Sequence, residues 1–426
     1  MRAIETIKNI WKIEDLRYRI LTTLLLIMVY RVGSYVVLPG IDVDTLSNLQ
    51  NQTRGGLMAL LDMFSGGAFS NASIFALGIM PYISASIVIQ LLGMALPYFQ
   101  KLQREGESGR RKINQWTRYL TIVVLMLQGP AYLANLYNTI PAEAFVLGVD
   151  SFLFRFVAMV SMIAGTMFTM WLGEKITDRG IGNGISLIIM IGIVARLPQA
   201  LWVEAVSSNI ILFIVELIFL ALVFMLAIAI VQAVRRIPVQ YAKRIVGNKQ
   251  YGGVRQYIPL KLNAANVMPI IFAQALMFIP GLIWKNNAAW TDITSFWYNF
   301  TLVVLVVAFT YFYTAIIVNP QMMADDMKRN GGFIPGVKPG KSTVKYIDDI
   351  MTRITLPGSI FLALITVLPA IAMTLGISQG FAYFFGGTSL LIMVGVVLDT
   401  LKQIESYLLM RHYDGLMKTG RIQGRY

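Results

Sequence analysis

A single histidine, His412, is the whole imidazole content of this 426-residue chain, and cysteine is absent. A His-Glu-x-x-His zinc site is therefore impossible, disulfides and thiolate metal sites are excluded, and a serine protease relay would have to reach a residue in the C-terminal tail, where His412 reads best as solvated. Gly340, Lys341 and Ser342 in PGVKPGKST imitate a phosphate-cradling loop, but the first glycine of such a loop belongs where this chain has Pro335. Proline has no N–H to offer a phosphate, so the segment reads as a turn. Gly180, Gly182 and Gly184 in DRGIGNGIS imitate a dinucleotide fingerprint, yet an apolar helix precedes them and not a buried strand. That run predicts a tight hairpin between two spans. No cofactor is expected, and neither an enzyme nor a self-powered pump is supported.

What positions these residues is a membrane. The chain is 56% hydrophobic and 14% charged, with a mean hydropathy of +0.64, so its apolar surface needs lipid as solvent. Segments of roughly 20 apolar residues, the length that crosses a bilayer, fall at about 20–38, 72–96, 116–137, 152–172, 184–203, 209–233, 263–284, 299–319, 354–374 and 384–401. Ten spans are expected. No composition shift divides the chain into soluble domains; the long polar segments are 234–261 and 320–353. Five spans precede Trp202 and five follow Asn209, and an odd number per half is compatible with two inverted halves, 1–206 and 207–426.

Of the 36 Lys and Arg residues, 31 lie in 1–19, 97–118, 174–183, 234–261, 320–353 and 402–426. The other five, Arg31, Arg54, Arg155, Arg196 and Lys285, lie in or beside the opposite loops. The positive-inside rule thus places both termini and the basic loops in the cytoplasm. Glu5, Glu14 and Asp15 are mixed with the first basic residues and no small-residue cleavage motif follows. The first span is expected to be retained.

The stretch Met63–Gln90, MFSGGAFSNASIFALGIMPYISASIVIQ, is interrupted. A short apolar piece at 57–64 meets Gly66 and Gly67 before a longer apolar run, and irregular backbone at membrane depth survives only against protein or a water-filled cavity. A lumen is one reading and an ordinary loop before an ordinary span is the other. A secondary transporter would also use broken helices and inverted halves, but it usually carries ionisable groups at mid-membrane. Here Arg31, Arg155 and Asp399 sit near span ends and only Glu216 lies well inside a span. These read as interfacial or snorkelling positions, and polar residues such as Gln90, Asn183 and Asn263 as helix-packing hydrogen bonds.

The interrupted stretch resembles the plug and second span of the SecY family of bacterial protein-conducting channels. Further runs resemble that family in the same order: LPGID at 38–42, EGESGRRKI at 105–113, TMFTMWLGEKITDRGIGNGIS at 166–186, YAKR at 241–244, NPQMMADDMK at 319–328, FIPGVKPG at 333–340, KYIDDIMTRITL at 345–356 and FGGTSLLI at 385–392. The resemblance implies an all-α membrane protein, with ten transmembrane helices in two inverted five-helix halves around an hourglass pore with a plug and lateral gate.

By the same resemblance, a ring of aliphatic residues seals the pore at Ile79, Ile83, Ile185, Ile189, Ile271 and Ile392, and an apolar constriction blocks ions by dewetting. The plug corresponds to about 57–70, with Leu60, Leu61, Met63, Phe64, Ser65, Gly66 and Gly67 in it, the glycines lending freedom to a segment that must move. Gln90 and Asn263 match polar positions of the lateral gate, where hydrogen bonds between membrane helices are worth about 0.6–2 kcal/mol each. Lys243, Arg244, Arg255 and Lys338 match a docking surface for an external motor, SecA or a translating ribosome. At the Lys338 position the family has an arginine, and lysine keeps the charge while losing the bidentate fork. The implied partners also include SecE, SecG, secretory preproteins with their signal sequences, and lipid. The implied location is the bacterial plasma (inner) membrane.

Overall fold

Each of the ten expected positions holds a helix. The structure, a computed structural model, describes residues 11, 13–42, 62–139, 145, 152–241, 244–246, 249–251, 255–283 and 292–418. In chain order the elements are α1 (Glu14–Gly33), α2 (Met80–Ala95), α3 (Pro97–Arg104), α4 (Glu107–Thr139), α5 (Phe152–Arg179), α6 (Gly184–Ser207) and α7 (Ile210–Gln232). Strands β1 (Val234–Tyr241), β2 (Arg244–Val246), β3 (Lys249–Tyr251) and β4 (Arg255–Lys261) follow. The rest comprises α8 (Met268–Ile283), α9 (Phe296–Ile317), α10 (Pro320–Arg329), β5 (Gly332–Phe333), α11 (Lys341–Thr374), the short α12 (Gln379–Ala382), a 3-10 turn at Tyr383–Phe385 and α13 (Gly387–Lys418).

Among the described residues, seven helices are long and apolar enough to cross a membrane, or up to eight if the bent pair Met80–Gly93 and Pro97–Gln103 is one span. α1 falls short because Arg17, Arg19 and Arg31 interrupt its apolar run, and α8 because it has only 16 residues. Proline opens several helices where no intrahelical N–H is needed: Pro97 begins α3, and Pro320 begins α10 behind Asn319, whose side-chain oxygen accepts from the Gln321 and Met322 amides.

The chain divides into two compact units, Met1–Ala200 with Val396–Tyr426, and Leu201–Gly395. In the first, a cluster of Leu38, Ile41, Phe69, Ala72, Ala76, Tyr132, Leu133, Leu136, Phe154, Ala158 and Met162 joins α4 and α5 to the segment before α2. In the second, α7 buries Glu216, Leu220, Val223 and Ala227, one stripe at helical spacing, while Ile211, Ile218 and Met225 are exposed. An apolar helix that exposes most of its length is suited to lipid.

Three expectations change. The span placed at 72–96 is helical only from Met80, and the one placed at 263–284 only from Met268. Apolar composition cannot separate helix from buried turns. The all-α class holds for the spans, but the polar segment 234–261 is not a plain loop. β1 pairs antiparallel with β4 from Val234↔Lys261 to Gln240↔Arg255 and with β5 at Gln240↔Phe333, giving the order β4-β1-β5, and β2 pairs with β3. Third, Glu216 does not snorkel: it is buried, and neither carboxylate oxygen has a hydrogen-bond partner.

The sheet is held by its own small core. Ile237 and Val239 of β1 and Leu260 of β4 pack on Met327 of α10, Ile334, and Ile347 and Met351 of α11. β1 and β4 therefore form one body with α10, β5 and the start of α11. Ile347 is fully buried in it. Ile347→Ala is expected to weaken this layer by about 2–5 kcal/mol, seen as faster protease cleavage within 234–353 with the membrane helices still intact.

Candidate functional site

Among the described residues of the first unit, 62–79 are the one long stretch that is buried without being a regular helix. Residues 62–64 are helical and give way to turns up to Ile79. Asp62, Met63, Ser65, Ala68, Phe69, Ser70, Ala72, Ser73, Phe75, Ala76 and Ile79 are all buried. Such backbone has to satisfy itself locally or from neighbours. Locally, Gly67 N–H donates to the Asp62 carbonyl (2.9 Å), Asn71 to Gly67 (3.0 Å), Ser73 to Ala68 (3.0 Å) and Gly78 to Phe75 (2.8 Å). The Ser65 hydroxyl donates to the Asp62 carbonyl at 3.1 Å and accepts from Phe69 N–H at 3.0 Å.

Neighbours supply the rest. From α1, the Tyr30 hydroxyl donates to the Ser65 carbonyl at 3.1 Å and Arg31 Nη1 to the Gly66 carbonyl at 2.9 Å. From α4, the Tyr132 hydroxyl donates to the Phe69 carbonyl at 2.9 Å, its ring edge-on to Phe69 at 4.8 Å. Beyond α1 the chain runs beside the segment, with Leu38 N–H donating to the Ala72 carbonyl and Ile74 N–H to the Val36 carbonyl, both 2.9 Å. From α6, Arg196 pairs with Asp62 Oδ2, and its Nη2 also donates to the Ser70 hydroxyl at 2.8 Å. Asp62 Oδ1 accepts from Ser70 N–H at 2.8 Å.

The contact with α6 depends on two glycines. A Cβ on Gly66, whose φ is +65°, would lie 2.8 Å from the Gly192 Cα, and one on Gly192 would lie 3.1 Å from the Phe64 carbonyl oxygen. Backbone meets backbone there, which only glycine permits. Gly192 is eight residues into α6, roughly 12 Å along it, in a hydrocarbon layer about 30 Å thick. Ile185, Ile189, Gly192 and Arg196 recur at spacings of four, three and four, so they share one face of α6. The docked segment thus lies on the face that carries two of the expected ring residues, and it runs directly into the other two of this unit, Ile79 and Ile83.

Ile79 and Ile189 are buried, Ile83 and Ile185 half-buried, and the Ile83 amide donates to the Ile79 carbonyl at 3.0 Å, so this pair too shares a face. In the second unit Ile271 is half-buried near the start of α8 and Ile392 is buried in α13. Met63, Phe64, Ser65, Gly66 and Gly67 belong to the docked segment; Leu60 and Leu61 lie outside the described residues. Gln90 is on an exposed face of α2. Asn263 lies in the loop before α8, buried, and donates to the Asn266 carbonyl at 3.2 Å. Lys338 is exposed in the turn before α11, its carbonyl accepting from the Thr343 hydroxyl at 3.0 Å. Arg244 and Arg255 belong to β2 and β4, with side chains outside the described ones, and Lys243 is outside the described residues.

Sequence reading missed Asp62, Ser70 and Arg196. Arg196, expected in or beside a loop, is within α6, twelve residues from its start. An arginine twelve residues into a membrane helix was the available signal, because such a charge at membrane depth needs a partner.

Fold and site define a polytopic helical membrane protein with an irregular glycine-rich segment folded into one helical unit at membrane depth. A SecY family profile matches residues 73–401. The chain is 43% identical over 435 residues to the protein translocase subunit SecY of Streptomyces scabiei, covering 96% of this chain and 98% of that one. It is 41% identical over 427 residues to that of Escherichia coli K12, covering 96% of each. A solved structure described as that of a protein conducting channel has the same fold, with a TM-score of 0.60 and 18% identity over 92% of both chains. The chain belongs to the SecY family.

Because Gly192 abuts the backbone of residues 64 and 66, a side chain there should displace the docked segment. Gly192→Val is expected to cost its packing about 1–3 kcal/mol. In this cysteine-free chain the check is maleimide labelling of Ala68→Cys, fully buried in the parent, which should become markedly faster.

Proposed function

We propose that this chain is the protein-conducting channel of a Sec translocase and not an enzyme. It passes unfolded secretory polypeptides across the membrane and releases transmembrane segments sideways into lipid. One observation carries the reading: in a chain of the SecY family, the buried segment 62–79 docks at membrane depth on the α6 face bearing Ile185 and Ile189. A chain that must open needs a closure held by separable contacts, and residues 62–70 are held to the neighbouring helices by side-chain hydrogen bonds and one ion pair, not by a continuous helix.

Residues 57–70 are the plug. Ile79, Ile83, Ile185, Ile189, Ile271 and Ile392 form the seal around a passing polypeptide, because apolar side chains at a constriction exclude ions without offering hydrogen bonds that would retain the substrate. Gln90 and Asn263 serve the lateral gate. The halves 1–206 and 207–426 are an inverted pair, with both termini and the basic loops in the cytoplasm of a bacterial cell, in its plasma membrane.

The channel is passive, so an external motor, SecA or a translating ribosome, drives it, and SecE and SecG accompany it. Lys243, Arg244, Arg255 and Lys338 dock the motor. The layer of β1, β4, β5, α10 and the start of α11 supports this role by holding Lys338 on a packed base with its side chain outward.

The direct test places a cysteine at Ile83 and another in a translocation-arrested precursor. A disulfide is expected at Ile83 and not at Leu222 of α7, which is exposed on an apolar helix. No cross-link at Ile83 in an active membrane would favour a transporter. Lys338→Glu places like charge against an acidic docking partner and is expected to slow motor-driven export by about tenfold, with unchanged assembly. Normal export in a reconstituted assay would remove Lys338 from the docking surface.

A further inference from the structure

The plug segment is gripped at its neck. Asp62 and Ser70 are joined by the Ser70 N–H donating to Asp62 Oδ1 at 2.8 Å, which closes residues 62–70 into a loop. One guanidinium binds both ends of that loop: Arg196 pairs with Asp62 Oδ2 and donates to the Ser70 hydroxyl at 2.8 Å. The same guanidinium lies 3.0 Å from where a Cβ of Gly67, inside the loop, would project. We propose that Asp62, Ser70 and Arg196 are positioning residues that latch the plug to α6, so that breaking this ion pair is a required step of channel opening; the inference rests on the reading of 57–70 as a plug.

Its setting separates this pair from the other ion pairs of the described residues. Arg19–Asp15 and Arg111–Glu107 are one-turn pairs within single helices, and Arg118–Glu174 joins two regular helices, α4 and α5. Arg196–Asp62 alone among them ties an irregular segment to a helix, and its carboxylate is the least exposed, with a side chain 7% accessible. Removing the guanidinium leaves the buried Asp62 carboxylate without its charge partner, and removing the carboxylate takes from the half-buried Arg196 its anchor, so the docked state loses stability in either case. The other side-chain hydrogen bonds that reach residues 62–70 from neighbouring helices are single ones, from Tyr30, Arg31 and Tyr132. A latch made of one strong, local pair can release in one step, which suits a segment that must leave and return. Because Arg196 shares a helical face with Ile185 and Ile189, a polypeptide entering along that face would meet the latch after the ring.

The test uses the whole channel in planar bilayers with its membrane partners. Asp62→Asn and Arg196→Gln keep shape and remove charge. Each is expected to raise resting ion conductance by about tenfold to a hundredfold, the range for a hydrogen bond to a charged group, with normal membrane assembly. The double variant should leak no more than the worse single one, because both break the same pair. Leaks that multiply, or a resting conductance equal to the parent in assembled channels, would overturn the latch. A second experiment isolates the plug reading. In the variant Phe69→Cys with Tyr132→Cys, whose rings meet at 4.8 Å in the parent, a short bis-maleimide should block export relative to the same variant untreated. If cross-linking leaves export intact, residues 57–70 are not a plug; if it blocks export while the charge variants do not leak, the plug stands and the latch fails.

Discussion

Backbone that leaves helical geometry at membrane depth has to be hydrogen-bonded by protein, and residues 62–79 place the whole first unit under that constraint. The need accounts for an otherwise unrelated set of polar residues. Tyr30 and Arg31 at the end of α1, Tyr132 in α4 and Arg196 in α6 each direct a donor at a carbonyl, hydroxyl or carboxylate of this one segment. In a helix each of these would be an expensive group in lipid; against the segment each has an acceptor. The strand-like run after α1 acts in the same way through the Val37↔Ser73 bridge.

α6 meets that constraint along one face. Its inward face changes chemistry along its length, from Ile185 and Ile189 to the backbone seat at Gly192 and then to the charge of Arg196. The isoleucines make an apolar stretch, the glycine lets residues 64–66 come within backbone distance, and the arginine binds Asp62 and Ser70. The segment docks through its backbone and needs no large side chain to do so.

The second unit solves a different problem. α7 and α9 bury narrow stripes and expose apolar side chains, as helices facing lipid do. Its polar segments are ordered by a soluble-type core, with β1, β4, α10 and α11 enclosing Val239, Met327, Ile334 and Ile347. That seats the exposed Lys338 beside a packed core, which a charge excess alone does not supply.

Membrane class, the approximate position of the helices, and the glycine interruption were legible in the chain because they follow from length, hydropathy and backbone freedom, which are local properties. Helix starts at Met80 and Met268 were not, since buried turns and helices share a composition. The strand pattern of Ile237 and Val239 was present in the polar segment at 234–261, but two inward residues are too few to distinguish a strand from a loop without the partner that covers them. The six isoleucines could be singled out only by resemblance, because isoleucines four apart are equally at home facing lipid. The grip of Arg196 on Asp62, across 134 residues of chain, was decided by tertiary structure alone: the sequence states that both charges exist, and only the packing of residues 62–79 against α6 brings them together and removes the water that would otherwise separate them.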